Sequence, residues 1–166
     1  GKVRSEGIEA ELTGELAPGW NLTAGYTYNT TKYVKDAANQ GKPFNTRTPE
    51  HMFKLFTSYR LPGSLRQWTV GGGANIQSAH FVSGSANAFN PDTGKFDGAA
   101  VPFKFSQGGY AVWNASVQYR INRNWQAVLN LNNLFVKVYY RTVGTSGGNN
   151  WYGEPRNVML TLRGTF

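Results

Sequence analysis

The chain has 166 residues and a formal net charge of +8, it contains no cysteine, and 40% of its residues are hydrophobic. The absence of cysteine excludes disulfide bonds, thiolate metal sites and cysteine catalysis. No apolar run approaches the roughly 20 residues that a membrane-spanning helix needs. Aromatic residues reach 14% and there are 20 glycines, a mixture that favours strands and tight turns over helices.

Apolar and polar residues alternate along the whole chain. Because successive side chains of a strand point to opposite faces of a sheet, this period of two predicts strands with one apolar face. The third strand is less regular, since Phe56 falls among its polar positions. The apolar faces of the seven predicted strands run, in chain order, over Ile8–Leu16, Trp20–Tyr28, Phe53–Tyr59, Trp68–Ile76, Ala111–Tyr119, Trp125–Leu131 and Val158–Phe166.

The length of these segments favours a membrane protein. Each has about 10 residues or more, which lets a tilted strand cross a bilayer, whereas strands of soluble proteins are nearer 5 or 6 residues. Large aromatic residues open or close five of the segments and match the aromatic girdle of membrane barrels: Trp20, Trp68, Trp125, Tyr59 and Tyr119. The sequence therefore predicts an all-β fold, an antiparallel up-and-down transmembrane β-barrel.

The connections between the predicted strands alternate between short and long. Short turns of Pro, Gly and Asn lie near 17–19, 61–64 and 122–124, and long polar connections lie near 31–49, 81–106 and 141–155. Outer-membrane barrels have short periplasmic turns and longer extracellular loops. We therefore assign the short turns to the periplasm and the long connections to the outside of the cell.

The number of strands indicates an incomplete barrel. Single-chain bacterial barrels have an even number of strands, and seven strands leave two edges of unpaired backbone groups that hydrocarbon does not tolerate. The first residues also lack the apolar core of a signal peptide. We expect residues 1–166 to be the C-terminal portion, or one cleaved piece, of a larger barrel.

Several short motifs, in their order and spacing, resemble TonB-dependent siderophore receptors across essentially the whole chain. The chain is most similar to the ferric-hydroxamate and ferripyoverdine branch of that family. It departs from the family at Val136, where an Asp usually follows Asn-Leu-Phe. The motifs that carry the resemblance are Ser5–Glu9, Pro18–Trp20, Ala24–Tyr28, Thr48–His51, Asn130–Phe135 with Tyr139 and Tyr140, Tyr152–Asn157 and the terminal Phe166.

The resemblance implies a receptor of the bacterial outer membrane that binds ferric siderophores and imports them in a step energised by TonB. It implies a barrel of 22 strands, with a plug domain and a TonB-contacting segment upstream of Gly1. It also implies that Phe166 is an assembly signal for the barrel-assembly machinery. Iron would arrive already chelated, so no intrinsic cofactor and no protein metal ligand is expected.

Aromatic side chains at the outer ends of the strands are the first ligand candidates, because flat rings stack on a siderophore chromophore or pack against its backbone. They are His80, Phe81, Tyr139, Tyr140, Trp151 and Tyr152. The outer aromatic girdle is the alternative interpretation of the same residues.

Basic side chains of the long connections, among them the ligand candidates Arg47 and Arg141, would attract an anionic siderophore. A solvated face that meets the phosphates of outer-leaflet lipid and lipopolysaccharide is the alternative. The full set is Lys32, Lys35, Lys42, Arg47, Lys95, Lys104 and Arg141.

Two expectations concern the lumen side. Glu9, Glu11 and Glu15 of the first strand are expected to form salt bridges with Lys54, Arg60 or Arg163 of other strands, or to pair with the plug. Gly71–Gly73 lacks the spacing and the lysine of a phosphate-binding loop, so we interpret it as close strand packing or as space for the plug.

Other function classes are disfavoured. His51 and His80 have no neighbouring residues at metal-ligand or catalytic-triad spacing, which argues against a metal site and against an enzyme. The basic residues are scattered, which argues against nucleic-acid binding. A soluble β-sandwich, acting as a carbohydrate-binding or adhesin-type module, stays as the alternative function.

Overall fold

The computed structural model describes residues 1–165, and Phe166 with its predicted role in assembly lies outside the described residues. Apart from a single 3-10 turn at Gly63–Leu65, the regular structure consists of strands. Their bounds are β1 (Lys2–Ala17), β2 (Trp20–Lys35), β3 (His51–Arg60), β4 (Trp68–Gln77), β5 (His80–Asn87), β6 (Ala100–Gln107), β7 (Tyr110–Arg120), β8 (Trp125–Asn132), β9 (Tyr140–Thr142), β10 (Trp151–Tyr152) and β11 (Asn157–Gly164).

Seven strands form one antiparallel sheet in the order β1-β2-β3-β4-β7-β8-β11. They are the seven strands that the alternation predicts, so the up-and-down β-sheet fold is confirmed. Within residues 1–165, no helix is long and apolar enough to cross a membrane.

The long connections contain more regular structure than their polar composition indicates. The connection predicted near 81–106 is a β-hairpin of β5 and β6, and the one near 141–155 holds a short hairpin of β9 and β10. The first long connection begins later than predicted, because β2 continues to Lys35 in pairing with the 16-residue β1.

The strand register places polar and apolar residues on opposite faces. One cross-strand row runs through Leu12, Ala24, Leu55, Ala74 and Trp113, and the neighbouring row runs through Glu11, Gly25, Lys54 and Asn75. Open cavities lie against the polar rows, so the polar face is concave and faces the lumen of the barrel.

Large apolar side chains of the convex face are exposed in every strand of the main sheet, up to 71% for Leu160. Within residues 1–165 the main sheet has no second layer of sheet over it. A β-sandwich would bury these side chains between two sheets, and the soluble-module alternative is therefore not supported. The stripe is the surface that a membrane barrel presents to lipid.

Phe56, which interrupts the predicted alternation, lies on the concave face beside glycines of β4. It pairs with Gly73 in register, and the end of its ring is 3.2 Å from the position that a Cβ of Gly71 would take. The glycines therefore leave room for an aromatic ring, which explains both irregularities of the sequence together. This supports the close-packing interpretation of Gly71–Gly73.

The expected salt bridges of the lumen-side glutamates do not form among the described residues. Glu11 and Lys54 stand in one row, but β2 lies between their strands, which separates them by about two strand spacings of 4.8 Å. Glu15 instead accepts the backbone N–H of Gly19 at 2.6 Å. The ion pair of the described chain joins Arg4 and Glu6 at 3.3 Å.

Candidate functional site

A cavity of about 480 Å³ opens on the concave face near the strand ends that the long connections join. Strands β3, β4, β7 and β8 supply its floor, and the chain between β8 and β11 supplies its outer wall. Two cations and one carboxylate lie among amide and phenol groups, so the lining is polar with a net positive charge. The lining residues are Lys54, Asn75, Gln77, Tyr110, Val112, Asn114, Asn132, Asn133, Tyr139, Arg141 and Glu154.

Asn133 organises the outer wall of this cavity. It is 2% exposed and has a left-handed backbone with φ of 51°. Its side-chain oxygen accepts the N–H of Lys137 at 2.7 Å, and its amide group donates to the carbonyl oxygens of Lys137 at 2.8 Å and Glu154 at 3.0 Å. Its own N–H donates to Asn114 Oδ1 of β7 at 3.0 Å. One side chain thus ties the turn after β8 to the segment that enters β11.

Val136 completes the same turn in an unfavourable conformation. Its φ is 55°, although the left-handed region is strained for a β-branched side chain. Its N–H donates to the carbonyl of Asn133 at 2.9 Å, so the turn closes despite the strain. A valine in this conformation therefore costs stability.

We expect Val136→Asn to raise the free energy of unfolding by about 1 kcal/mol, because Asn tolerates the left-handed region that valine resists. The measurement is the urea midpoint of the complete receptor in detergent. Val138→Asn is the matched control, since Val138 is also exposed and has no positive φ. An equal rise in the free energy of unfolding of both variants would contradict backbone strain at Val136.

Tyr139 and Arg141 are the predicted ligand residues that the fold brings into the cavity. The ring of Tyr139 lies against that of Tyr110, with centroids 4.3 Å apart. Gly153 lies directly behind it, since a Cβ at Gly153 would overlap the Tyr139 ring. Tyr139 is therefore held between a strand and a loop, with its position fixed from both sides.

Tyr140, Tyr152 and Trp151 lie on the β9–β10 hairpin and do not line the cavity. The rings of Tyr140 and Tyr152 stack with centroids 4.6 Å apart, and their hydroxyl oxygens are 3.1 Å apart. This hydrogen bond raises the pKa of Tyr140. Trp151 is 66% exposed, so it is open to a ligand that approaches from outside.

His80, Phe81 and Arg47 are separated from that group. His80 begins β5 and is 3% exposed, and burial lowers its pKa, which favours the neutral ring. The ammonium of Lys104 lies 4.2 Å from the Phe81 ring centroid, a cation–π contact. Arg47 is exposed on the connection between β2 and β3.

Sequence reasoning missed most of the polar cavity lining. Lys54 and Asn75 fall at polar positions of the alternation in β3 and β4 and pair with each other in register. The alternation alone therefore indicated that both side chains face the lumen. Asn133 had a weaker signal, the Asn-Asn pair at the end of β8. For Glu154 no sequence signal indicated a place in the cavity, because only the folded loop brings it to the strands.

Residues 1–134 match the family described as TonB dependent receptor-like, beta-barrel. The chain belongs to the TonB-dependent receptor family. It is 40% identical over 168 residues to the ferric-pyoverdine receptor PbuA of a Pseudomonas species, a match that covers 100% of this chain and 19% of the relative. The family consists of outer-membrane β-barrel receptors, and this chain is a segment of such a barrel.

Solved structures of TonB-dependent receptors share the fold of this chain. The ferripyoverdine receptor of the Pseudomonas aeruginosa outer membrane, bound to ferripyoverdine, has a TM-score of 0.78 and 35% identity, and the match covers 98% of this chain and 19% of that one. The ferric-catecholate import receptor Fiu of Escherichia coli has a TM-score of 0.71 and 31% identity, and the match covers 99% of this chain and 21% of that receptor. This TonB-dependent receptor chain thus spans about a fifth of the length of the relatives that it matches.

Proposed function

We propose that this chain is part of an outer-membrane receptor that binds ferric siderophores outside the cell and imports them, with energy supplied through TonB. The observation that carries the proposal is the likeness to siderophore receptors over almost the whole chain, in both sequence and fold. The family is one of receptors and transporters, and the proposed activity is transport without catalysis.

The cavity supports the substrate class. Lys54 and Arg141 outnumber Glu154 among its charged residues, so the cavity attracts an anionic chelate. Amide groups of Asn75 and Asn114 offer hydrogen bonds to a polar ligand backbone, and the Tyr110–Tyr139 pair offers flat surfaces for stacking. Because the siderophore brings the iron already chelated, the protein needs no metal ligands and no resident cofactor.

We further propose that residues 1–166 are C-terminal strands of a barrel of 22 strands that encloses a plug domain. The open edges of β1 and β11 support this, because a membrane barrel needs every backbone edge paired. The concave glutamates Glu9 and Glu11, which lack ion-pair partners within residues 1–165, are suited to contact a plug. The barrel-assembly machinery and TonB complete the proposed partners.

The test is iron uptake by cells that express the complete receptor as their only siderophore receptor. We expect uptake of radiolabelled iron from a panel of ferric siderophores to depend on the receptor and on TonB. The proposal would be overturned if the receptor imported iron from none of the siderophores in the panel. The panel should contain pyoverdines and catecholates, since the relatives are named for both.

We expect Lys54→Gln and Arg141→Gln each to raise the Kd for the imported ferric siderophore about tenfold, because each removes a charged hydrogen-bond donor worth roughly 1.5 kcal/mol. Fluorescence quenching of the purified receptor measures the Kd. Lys95→Gln is the control, since Lys95 carries the same charge near the end of the β5–β6 hairpin and outside the cavity. An equal rise in the Kd on substitution of Lys95 would contradict siderophore binding in the cavity.

A further inference from the structure

The cavity takes two of its side chains from a short segment of the chain between β8 and β11. Tyr139 and Arg141 line the cavity, and Tyr140, which lies between them, begins β9. The seven residues before Tyr140 belong to no strand or helix. Because Tyr139 and Arg141 flank Tyr140 directly, the position of the Tyr140 backbone determines where both side chains lie. We call Tyr139–Arg141 the cavity segment.

A glutamine of another hairpin binds the backbone of the cavity segment. The N–H of Tyr140 donates to Gln107 Oε1 at 2.8 Å, and the acceptor must be the amide oxygen because a backbone N–H only donates. At the other end of the same amide group, Gln107 Nε2 donates to the carbonyl oxygen of Gly108 at 2.9 Å. Both ends of the half-buried Gln107 side chain are therefore bonded, which fixes its orientation.

Gln107 lies at the base of the β5–β6 hairpin, a firm point from which to reach β9. It pairs there with His80, which is 3% exposed. The hairpin is also attached to the connection between β2 and β3, since the Phe81 N–H donates to the carbonyl oxygen of Thr46 at 2.8 Å. Within the described part of the chain, the cavity lining includes no residue of β5 or β6. Gln107 therefore contacts the cavity segment without facing the space that a ligand would fill.

We propose that Gln107 is a positioning residue for the siderophore, which holds Tyr139 and Arg141 in the cavity through the backbone of Tyr140. Two other contacts act on the same segment, but both act at Tyr139. Its carbonyl oxygen accepts the N–H of Gly153 at 2.9 Å, and its ring lies against a tyrosine of β7. The bond from Gln107 fixes the next peptide group, the one that leads to Arg141. The effect on siderophore affinity rests on the proposed function, whereas the effect on the cavity segment does not.

The test compares three substitutions of Gln107 in the complete receptor in detergent. Gln107→Met keeps the length of the side chain and loses the acceptor, Gln107→Asn keeps the amide but is one bond too short, and Gln107→Glu keeps both the length and an acceptor oxygen. We expect the first two to speed hydrogen exchange of the Tyr140 amide about tenfold and to raise the Kd for the imported ferric siderophore about fivefold, as loss of one hydrogen bond does. Gln107→Glu should stay within about twofold of the native receptor in both measurements, made at about 0.5 M salt to screen the added charge.

Two controls separate positioning from a general loss of stability. Gln118→Met removes a comparable amide hydrogen bond, from Gln118 Nε2 to Gln126 Oε1 at 3.1 Å, at the end of β7 away from the cavity, and should change neither measurement. In a receptor that already carries Tyr139→Ala and Arg141→Gln, Gln107→Met should no longer raise the Kd, because the side chains that it positions are absent. Heat-modifiable electrophoretic mobility reports folding, and Gln107→Asn decides the test if Gln107→Met does not fold.

Each remaining outcome has a definite meaning. Unchanged exchange of the Tyr140 amide in the folded Met and Asn variants would overturn the link between Gln107 and the cavity segment. An equal rise in the Kd with Gln107→Glu, or a rise that persists without Tyr139 and Arg141, would overturn positioning. If the unmodified receptor bound none of the ferric siderophores, the proposed function would fail, while the exchange rates would still decide whether Gln107 holds the cavity segment.

Discussion

Asn133→Ala is expected to destabilise the outer wall of the cavity by about 4 kcal/mol and to weaken siderophore binding at least tenfold. The substitution leaves the N–H of Lys137 and the carbonyl oxygens of Lys137 and Glu154 without their partner, at about 1 kcal/mol for each of these partly buried groups. Alanine at a φ of 51° adds about 1 kcal/mol. Hydrogen exchange of residues 133–156 and siderophore affinity in the complete receptor are the measurements.

Two further substitutions of Asn133 divide this effect into its causes. Asn133→Gly loses the same hydrogen bonds but tolerates the left-handed backbone. Its loss of stability should therefore be smaller than that of the alanine variant by about 1 kcal/mol. Asn133→Asp keeps the acceptor for the Lys137 N–H and loses the two donated bonds, so it should fall between glycine and the native residue. Unchanged exchange rates in the alanine variant would show that the loop does not depend on Asn133.

Gly73→Ala is expected to destabilise the sheet by about 3 kcal/mol, as overpacking in a close contact does. A Cβ at this position would overlap the carbonyl oxygen of Leu55 and lie 3.2 Å from the Cα of Phe56. Since Leu55 belongs to the neighbouring strand, relief requires β3 and β4 to separate. The urea midpoint of the complete receptor is the measurement.

Gly25→Ala is the matched control for Gly73→Ala. Gly25 lies in the middle of β2 on the same concave face, and a Cβ there would meet nothing within 4 Å. Because alanine costs less conformational entropy than glycine in a strand, this variant should be neutral or more stable by about 0.5 kcal/mol. Equal destabilisation of both variants would mean that the concave face resists any added methyl group, and the specific contact with Leu55 would then be wrong.

The seven strands were predictable because their signal is local. The alternation of apolar and polar residues within one strand shows which residues belong to each face. The aromatic residues at its ends indicate where the strand leaves the hydrocarbon. The β5–β6 hairpin was not predictable in the same way, because its residues alternate weakly and the segment includes Pro102. The hairpin also contacts another connection, since the Phe81 N–H donates to the carbonyl oxygen of Thr46.

The candidate site was predictable only in part. Tyr139 and Arg141 were identified as ligand candidates because aromatic and basic residues at the outer rim suit an anionic chelate. Lys54 and Asn114, which line the cavity with them, were not identified as ligand candidates, although their parity turns them toward the lumen. A register of several strands is needed to know which lumen residues stand at the same height, and the sequence of one strand does not contain that information.

The amino-acid sequence by itself determined the seven strands of the main sheet and their apolar stripe, since each depends on period, length and turn composition within short segments. Only the tertiary structure decided that Glu11 and Lys54 stay apart, that Phe56 fills the space above glycines, and that Asn133 joins the turn after β8 to Glu154. These are relations between strands and loops far apart in the chain, and hydrogen-bond register and side-chain volume fix them only when the sheet is assembled.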